Sequence, residues 1–224
     1  MKIAAIMQPT YLPWLGYFDL ISNSDIFIIL DNVQFDKRSW QQRNRIKSPN
    51  GELMLTVPVL SSGKFAQKIN EVSIDHSQKF KKKHFNSIVN CYKKSHNFEK
   101  LIHYFEKIYS KEISSLYELN YSFIKMMSSF FKIKTEFIFA SSLQAKGKKS
   151  ALLVNICKEL NIKNYYSPKG SKAYIESENL FKQEKIEVHY QDYNHPIYNQ
   201  LHGDFIPNLS ALDYLFCAKE INIF

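Results

Sequence analysis

The chain has 224 residues, 45% apolar and 23% charged, which is ordinary globular composition with enough length for a substantial core. Thirty Lys and Arg against 21 Asp and Glu leave a formal charge of +9, which points to anionic partners, unless the lysines simply coat solvated helix faces. No run of about 18 apolar residues offers a membrane span, and the first residues lack the pattern of a secretion signal, so a cytoplasmic protein is expected.

In chain order, the apolar runs 3–7 and 26–30 predict strands covered on both faces, with a short helix at 15–22 between them. Pro13 suits a place at or just before that helix. After Asp31 comes a polar, basic loop, "NVQFDKRSWQQRNRIKSPNG", closing in a turn at Pro49-Asn50-Gly51. Strands are expected at 52–59 and 69–75. Helical periodicity then takes over at 78–95, 98–109 and 116–131, with Phe80, Phe85, Ile88, Val89 and Tyr92 as the first apolar stripe. The chain returns to alternation: strand 135–141, helix 150–160, strand 164–167, helix 172–182, strand 186–193. A last helix at 209–219 can be capped by Asn208 or Ser210. The expected fold is α/β, one domain over 1–224, with a helical insertion at about 78–131.

Cys91, Cys157 and Cys217 are odd in number, far apart and set among apolar neighbours, so buried free thiols are expected, with no disulfide framework and no metal spacing. Walker, G-x-G-x-x-G and G-x-S-x-G motifs are missing.

The densest chemistry lies in "LDNVQFDKRSWQQRNRIK". It follows the end of the second strand, where open α/β sheets bind ligands. Asp31 can bind a hydroxyl, an amine or a metal-bound water there. Lys37, Arg38, Arg43, Arg45 and Lys47 can hold phosphates, and Trp40 offers a stacking face. His84, among lysines in "KKKHF", would have a depressed pKa suited to a general base, or be an idle surface histidine. Asn120 sits in a helix, as a ligand contact or a buried structural amide. Ser171 can cap the helix after "YYSPKG" and help it receive an anion, with Lys169 and Lys172 beside it. His195 stands in a polar aromatic loop, and Asp213 lies between apolar neighbours, more in keeping with structure than with catalysis.

Taken together, "MQPTYLPWLGYFDLI", "SDIFIILDNVQFDKRSWQQRNRIK", "LTVPV", "KKHF" with Tyr92, "SLYELN", "YYSPKGSKAYI" and "HPIYNQ" followed by "FIPNLSALDYLF" resemble the WbqC-like family, in order from Met7 to Phe216. Two departures are Phe80, where a Trp would be expected nearby, and "SPKGSKAY", where a Ser-Gly pair is more usual. The resemblance implies a place in O-antigen or other surface-polysaccharide biosynthesis. It implies a transferase decorating a nucleotide-linked amino sugar, by acyl or aminoacyl (for example glycyl) transfer to the sugar amine. The donor is left open among acyl-CoA, aminoacyl-tRNA and an ATP-activated acid, so tRNA is a possible partner beside the nucleotide-sugar, and no metal is called for. The residues carried forward are Gln8, Tyr11, Trp14, Asp31, Gln34, Lys37, Arg43, His84, Asn120, Tyr174 and Asp213, with Asp31 or His84 as base. Trp40, Ser171 and His195 join them as binding residues. The opening strand, loop and helix also resemble the nucleotidyltransferase superfamily, implying an open, mostly parallel, Rossmann-like sheet. There Trp14 and Tyr17 stand where that superfamily has histidines, and neither supplies the same electrostatic stabilisation. The competing readings are a nucleotidyl- or adenylyl-transferring ligase and a non-catalytic nucleotide- or RNA-binding protein.

Overall fold

The computed structural model describes residues 2–224. Its elements are β1 (Ile3–Met7), α1 (Leu15–Ser22), β2 (Ile26–Ile29), β3 (Arg43–Ser48), β4 (Gly51–Thr56), α2 (Phe80–Tyr92), α3 (Phe98–Ser110), α4 (Leu116–Phe130), β5 (Glu136–Phe139), α5 (Lys149–Glu159), β6 (Asn164–Ser167), α6 (Lys172–Glu178), α7 (Leu180–Gln183), β7 (Glu187–Tyr190) and α8 (Ala211–Cys217). Among the described residues no helix is long and apolar enough to cross a membrane. Contacts divide the chain into two compact units, each discontinuous in sequence.

The first unit holds the residues up to Gln8, Tyr17–Asn32 and Ile133–Asn194. Its five strands form one sheet in the order β5-β2-β1-β6-β7, every pair parallel. Counted along the sheet's own strands this is 3-2-1-4-5, a doubly wound order whose direction reverses between β1 and β6. The central strand β1 and its neighbour β2 explain the apolar runs that announced them. All four residues of β2 are buried, as are Ala4, Ala5 and Ile6 of β1, because helices cover a parallel sheet on both faces. Tyr165 of β6 stacks on Phe181 of α7, with ring centroids 5.0 Å apart and planes within 7°.

The second unit holds Pro9–Gly16, Val33–Lys132 and His195–Phe224. Here β3 and β4 form an antiparallel hairpin that turns at Pro49 and Asn50, with Gly51 at φ +96°, a conformation glycine adopts without strain. Helices α2, α3, α4 and α8 supply the rest. Their core is aromatic: Phe216 of α8 lies 5.2 Å from Phe105 and 5.3 Å from Tyr92, centroid to centroid. Asn97 ties the C-terminal segment down, its Nδ2 donating to the carbonyls of Leu215 and Ala218 and its N–H to that of Phe216.

Several expected elements come out differently. The basic loop becomes a strand from Arg43 onward, with Asn44 and Ile46 facing inward, a polar-rich alternation that hides β3. The strand expected at 69–75 is a 3-10 turn, Ile69–Glu71, followed by single bridges from Ser73 to Ser115 and from Ile74 to Val59. Ile69, Val72 and Ile74 are buried there, but no strand runs alongside them long enough to pair. The helix expected at 172–182 breaks at Asn179, which is left-handed at φ 54° and separates α6 from α7. The last helix stops at Cys217 because Ala218 is extended. Of its two candidate caps, Ser210 does the work, accepting from the N–H of Leu212.

Candidate functional site

The stretch Pro9–Gly16 begins just past β1 and belongs to the second unit. Leu12 is fully buried with φ 45°, a left-handed backbone that a branched side chain seldom accepts. Its neighbours hold it there. Asn44 Nδ2 donates to the Leu12 carbonyl at 2.7 Å, Tyr11 N–H to Trp40 O at 3.0 Å, Ala211 N–H to Pro13 O at 2.7 Å, and Asn120 Nδ2 to Pro9 O at 3.3 Å. Strain of this kind persists only where the surroundings over-determine the backbone. Asn120 is the hub: the same amide nitrogen also donates to Gln41 O at 2.7 Å, so one buried side chain joins the aromatic loop to the basic one. Of the two expectations for Asn120, the structural one describes these contacts.

Trp14 lies across Gly16. A Cβ on Gly16 would come within 2.2 Å of the indole Cη2, while the backbone there has no positive φ, so the ring alone demands glycine. Gly16→Ala is expected to destabilise by about 1–3 kcal/mol, as overpacked sites do, and to shift tryptophan fluorescence. Pairing it with Trp14→Leu should recover most of the loss in thermal melts; an unchanged melting temperature for Gly16→Ala would refute this packing.

Tyr11 is buried within the same unit. Its hydroxyl lies 2.8 Å from His84 Nδ1 and 2.5 Å from the Tyr109 hydroxyl. Burial, with the Lys83 ammonium second, lowers the His84 pKa to about 4, so the ring is neutral near pH 7. A hydrogen bond to the Thr56 carbonyl opposes that shift and requires an N–H on the second ring nitrogen. Nδ1 therefore accepts from Tyr11, and Tyr11 in turn accepts from Tyr109. The chain runs Tyr109 to Tyr11 to His84 to Thr56, with every group engaged. His84, read as a lysine-flanked helix-face residue, is only 4% exposed and lies on the inner stripe of α2 with Phe80, Ile88 and Tyr92.

A second buried network centres on Asp213, which is 0% exposed. Tyr92 donates to Oδ1 at 2.7 Å and Tyr198 to Oδ2 at 2.8 Å. Gln200 Nε2 donates to the Tyr198 oxygen at 3.3 Å, and Lys47 Nζ donates to Gln200 Oε1 at 3.0 Å and to the carbonyls of Gly203 and Asp204. Burial pushes the Asp213 carboxyl above the usual range, while the bonds from Tyr92 and Tyr198 pull it back. This set clamps the segment after His195 onto β3.

In the first unit, the carboxyl ends of the strands gather a different group. Asp31 is 1% exposed and fully engaged: Ser141 N–H donates to Oδ1 at 2.9 Å and Ser141 Oγ to Oδ2 at 2.6 Å, locking the end of β2 to that of β5. Gln8 follows β1 half-buried, and its carbonyl accepts from Tyr17 Oη at 3.2 Å. Asp19 of α1, unremarkable in sequence, accepts from Gln191 Nε2 at 2.6 Å, Tyr166 Oη at 3.3 Å and Asn23 Nδ2 at 3.0 Å. Burial, then the Asp19 charge, raises the Tyr166 phenol to about 12. Ser171 precedes α6 but makes no side-chain cap bond, because its backbone is already helical, and α6 spans seven residues. Lys169 pairs with Asp192 at 3.6 Å, Lys172 lies over the Tyr190 ring, and Tyr174 is 40% exposed.

Four predicted residues remain near the surface of the second unit. Gln34 donates to Phe65 O at 3.2 Å, Lys37 is exposed, Trp40 is 48% exposed beneath the Arg45 guanidinium, and Arg43 is half-buried on β3. His195 packs against Tyr198 and Phe205, and burial lowers its pKa. The three cysteines are buried and free; burial pushes Cys157 and Cys217 up to about 12.

A sequence profile of the WbqC-like protein family matches residues 8–223. The chain belongs to that family. It is also 36% identical to the uncharacterized protein Rv1507c of Mycobacterium tuberculosis over 218 residues, which cover 96% of this chain and 94% of that one. No solved structure matches it.

In this WbqC-like chain the residues that carried the resemblance are divided between the two units. Tyr11 joins His84, and Asn120 joins the loops that carry Tyr11 and Trp40, while Asp213 anchors a separate network. Asp31, Gln8, Ser171 and Tyr174 lie in the other unit. Sequence reasoning missed Tyr109, Tyr92 as a hydrogen-bonding hub, and the Asp19–Tyr166–Gln191 set. Only the last sits at the strand ends beside the reversal between β1 and β6, and nothing in its local sequence marks it.

Proposed function

We propose that the protein is a transferase that decorates a nucleotide-linked amino sugar in surface-polysaccharide biosynthesis, adding an acyl or aminoacyl group to the sugar amine. The observation that carries this reading is the doubly wound sheet of the first unit, whose order reverses between β1 and β6, the place where such sheets bind ligands. The groups at those strand ends suit a phosphorylated sugar. Asp19, held by Gln191 and Tyr166, is a carboxylate acceptor for sugar hydroxyls or an ammonium. The ion pairs of Lys169 and Lys172 are exposed, and such surface pairs are worth at most about 1 kcal/mol, so a diphosphate can displace them. Asp31 and His84 are less suited to act as base than the sequence implied, because the ring nitrogens of one and both oxygens of the other are already engaged.

The resemblance to nucleotidyltransferases supports a shared sheet and not a shared reaction. Tyr17 is 1% exposed with its hydroxyl on the Gln8 carbonyl, and Trp14 covers Gly16, so neither presents a charge to a phosphate. The test is incubation with a panel of nucleotide-linked amino sugars and with acyl-CoA, aminoacyl-tRNA or amino acid plus ATP, read by mass. One sugar should gain one acyl mass, and Asp19→Asn should lower that rate at least tenfold. If no pair yields an adduct and calorimetry detects no nucleotide-sugar binding, the reading fails.

A further inference from the structure

We infer that the exposed face built by residues 34–45 and 60–68 of the second unit binds single-stranded RNA. The inference is independent of the transferase reading and is tested by binding alone. Two aromatic rings stand in water on this face: Phe65 is 89% exposed and Trp40 48% exposed. An exposed Phe at a loop tip adds nothing to the core, and an exposed Trp adds little. The two segments are neighbours, because Phe35 N–H donates to Gln67 O at 2.8 Å, Gln34 Nε2 donates to Phe65 O at 3.2 Å, and Gln34 bridges to Lys68.

Cations share these segments with the rings. Among the described residues, the side chains of Lys37, Arg38, Arg43 and Lys64 make no hydrogen bond or ion pair, and Arg43 keeps its Nε buried without a partner. Arg45 shares the face of β3 with Arg43, two residues or about 7 Å along the strand. Its guanidinium lies 5.3 Å from the Trp40 ring centroid and is pre-set by Glu52 at 2.9 Å. Besides Glu52, the acidic groups in or beside these segments are Asp36, which is exposed, and Glu71, whose carboxylate is used by the Lys68 N–H.

Flat rings interleaved with free guanidinium and ammonium groups are what a single strand needs, since each unpaired base offers a face for stacking and each phosphate a charge. A duplex hides its bases and would use only the cations. A membrane would call for a contiguous apolar area, and here polar and charged residues separate the rings.

The experiment is fluorescence anisotropy with labelled 12-nucleotide oligo(A) and oligo(U), against a 12-base-pair RNA duplex and anionic vesicles, from 50 to 300 mM salt. Single strands should bind, with a log–log salt slope of about −0.7 per phosphate contacted. Trp40→Ala should weaken binding about tenfold and Phe65→Ala severalfold, with Trp40→Phe close to the parent, because stacking is what is lost. Arg43→Gln should flatten the salt slope by about 0.7. Thermal melts of the variants should match the parent, given how exposed both rings are. No binding of single strands at 50 mM salt overturns the inference. So does equal binding of the duplex with no response to either ring substitution, or a preference for vesicles over RNA.

Discussion

Asp213→Ala is expected to lower stability by about 3–5 kcal/mol, the range for removing one member of a buried charged network. For a chain of this length that is a fall in melting temperature on the order of 10 °C. The physical reason is what the carboxylate leaves behind. Tyr92 would keep a buried hydroxyl and Tyr198 a half-buried one without their acceptor, and the Lys47 ammonium would lose the negative charge that shares its enclosure. Asp213→Asn should cost less, since an amide oxygen still accepts one hydroxyl. Tyr198→Phe should cost about 1–2 kcal/mol, because a single bond is lost while the ring remains. Chemical denaturation of the three variants gives the order directly. If Asp213→Ala melted within a degree of the parent, the network would not be holding the C-terminal segment to β3.

The second large effect is acid sensitivity through His84. Its folded pKa of about 4 lies below the unfolded value of 6.5, so between those values the unfolded chain binds more protons. Stability is therefore fully present above pH 6.5 and is lost as pH falls through 4, by about 3 kcal/mol in all and about 2 kcal/mol by pH 5. Asp213 has the opposite sign. Its folded pKa is raised, so its ionisation penalty appears as pH rises above about 4 and is relieved below it. The two are separable by substitution. His84→Gln should shrink the difference in melting temperature between pH 7.5 and pH 5, while Asp213→Asn should leave the His84 portion in place. A parent protein equally stable at both pH values, with His84→Gln behaving alike, would rule out the neutral His84 of the Tyr109–Tyr11–His84 chain.

How much of this was legible beforehand differs by element. β1 and β2 announced themselves because a strand covered on both faces must be apolar throughout. The helices α2 to α4 did so through their 3.6-residue stripe. β3 did not, because one face of its hairpin carries Arg43, Arg45 and Lys47, and a polar alternation looks like a loop. His84 was legible as a residue with a depressed pKa but for the wrong first cause. The neighbouring lysines were visible in sequence, whereas the burial that dominates depends on which side of α2 faces inward.

The aromatic loop Pro9–Gly16 shows the same division. Sequence identified it as the chain's signature and assigned its side chains to ligand contact. In the structure Tyr11 is spent on His84 and Tyr109, Leu12 is held in a strained conformation, and Trp14 lies over Gly16. By itself the sequence determined the α/β class, the places of most elements, the basic character and the family, because these rest on local periodicity, composition and contiguous motifs. The tertiary structure alone decided the strand order 3-2-1-4-5, the pairing of Tyr11 with His84 across 73 residues and of Tyr92 with Asp213 across 121, and the assembly of Asp19 with Tyr166 and Gln191. Those are contacts between residues distant along the chain, set by how buried faces pack, and no local pattern encodes which distant partner fills a given face.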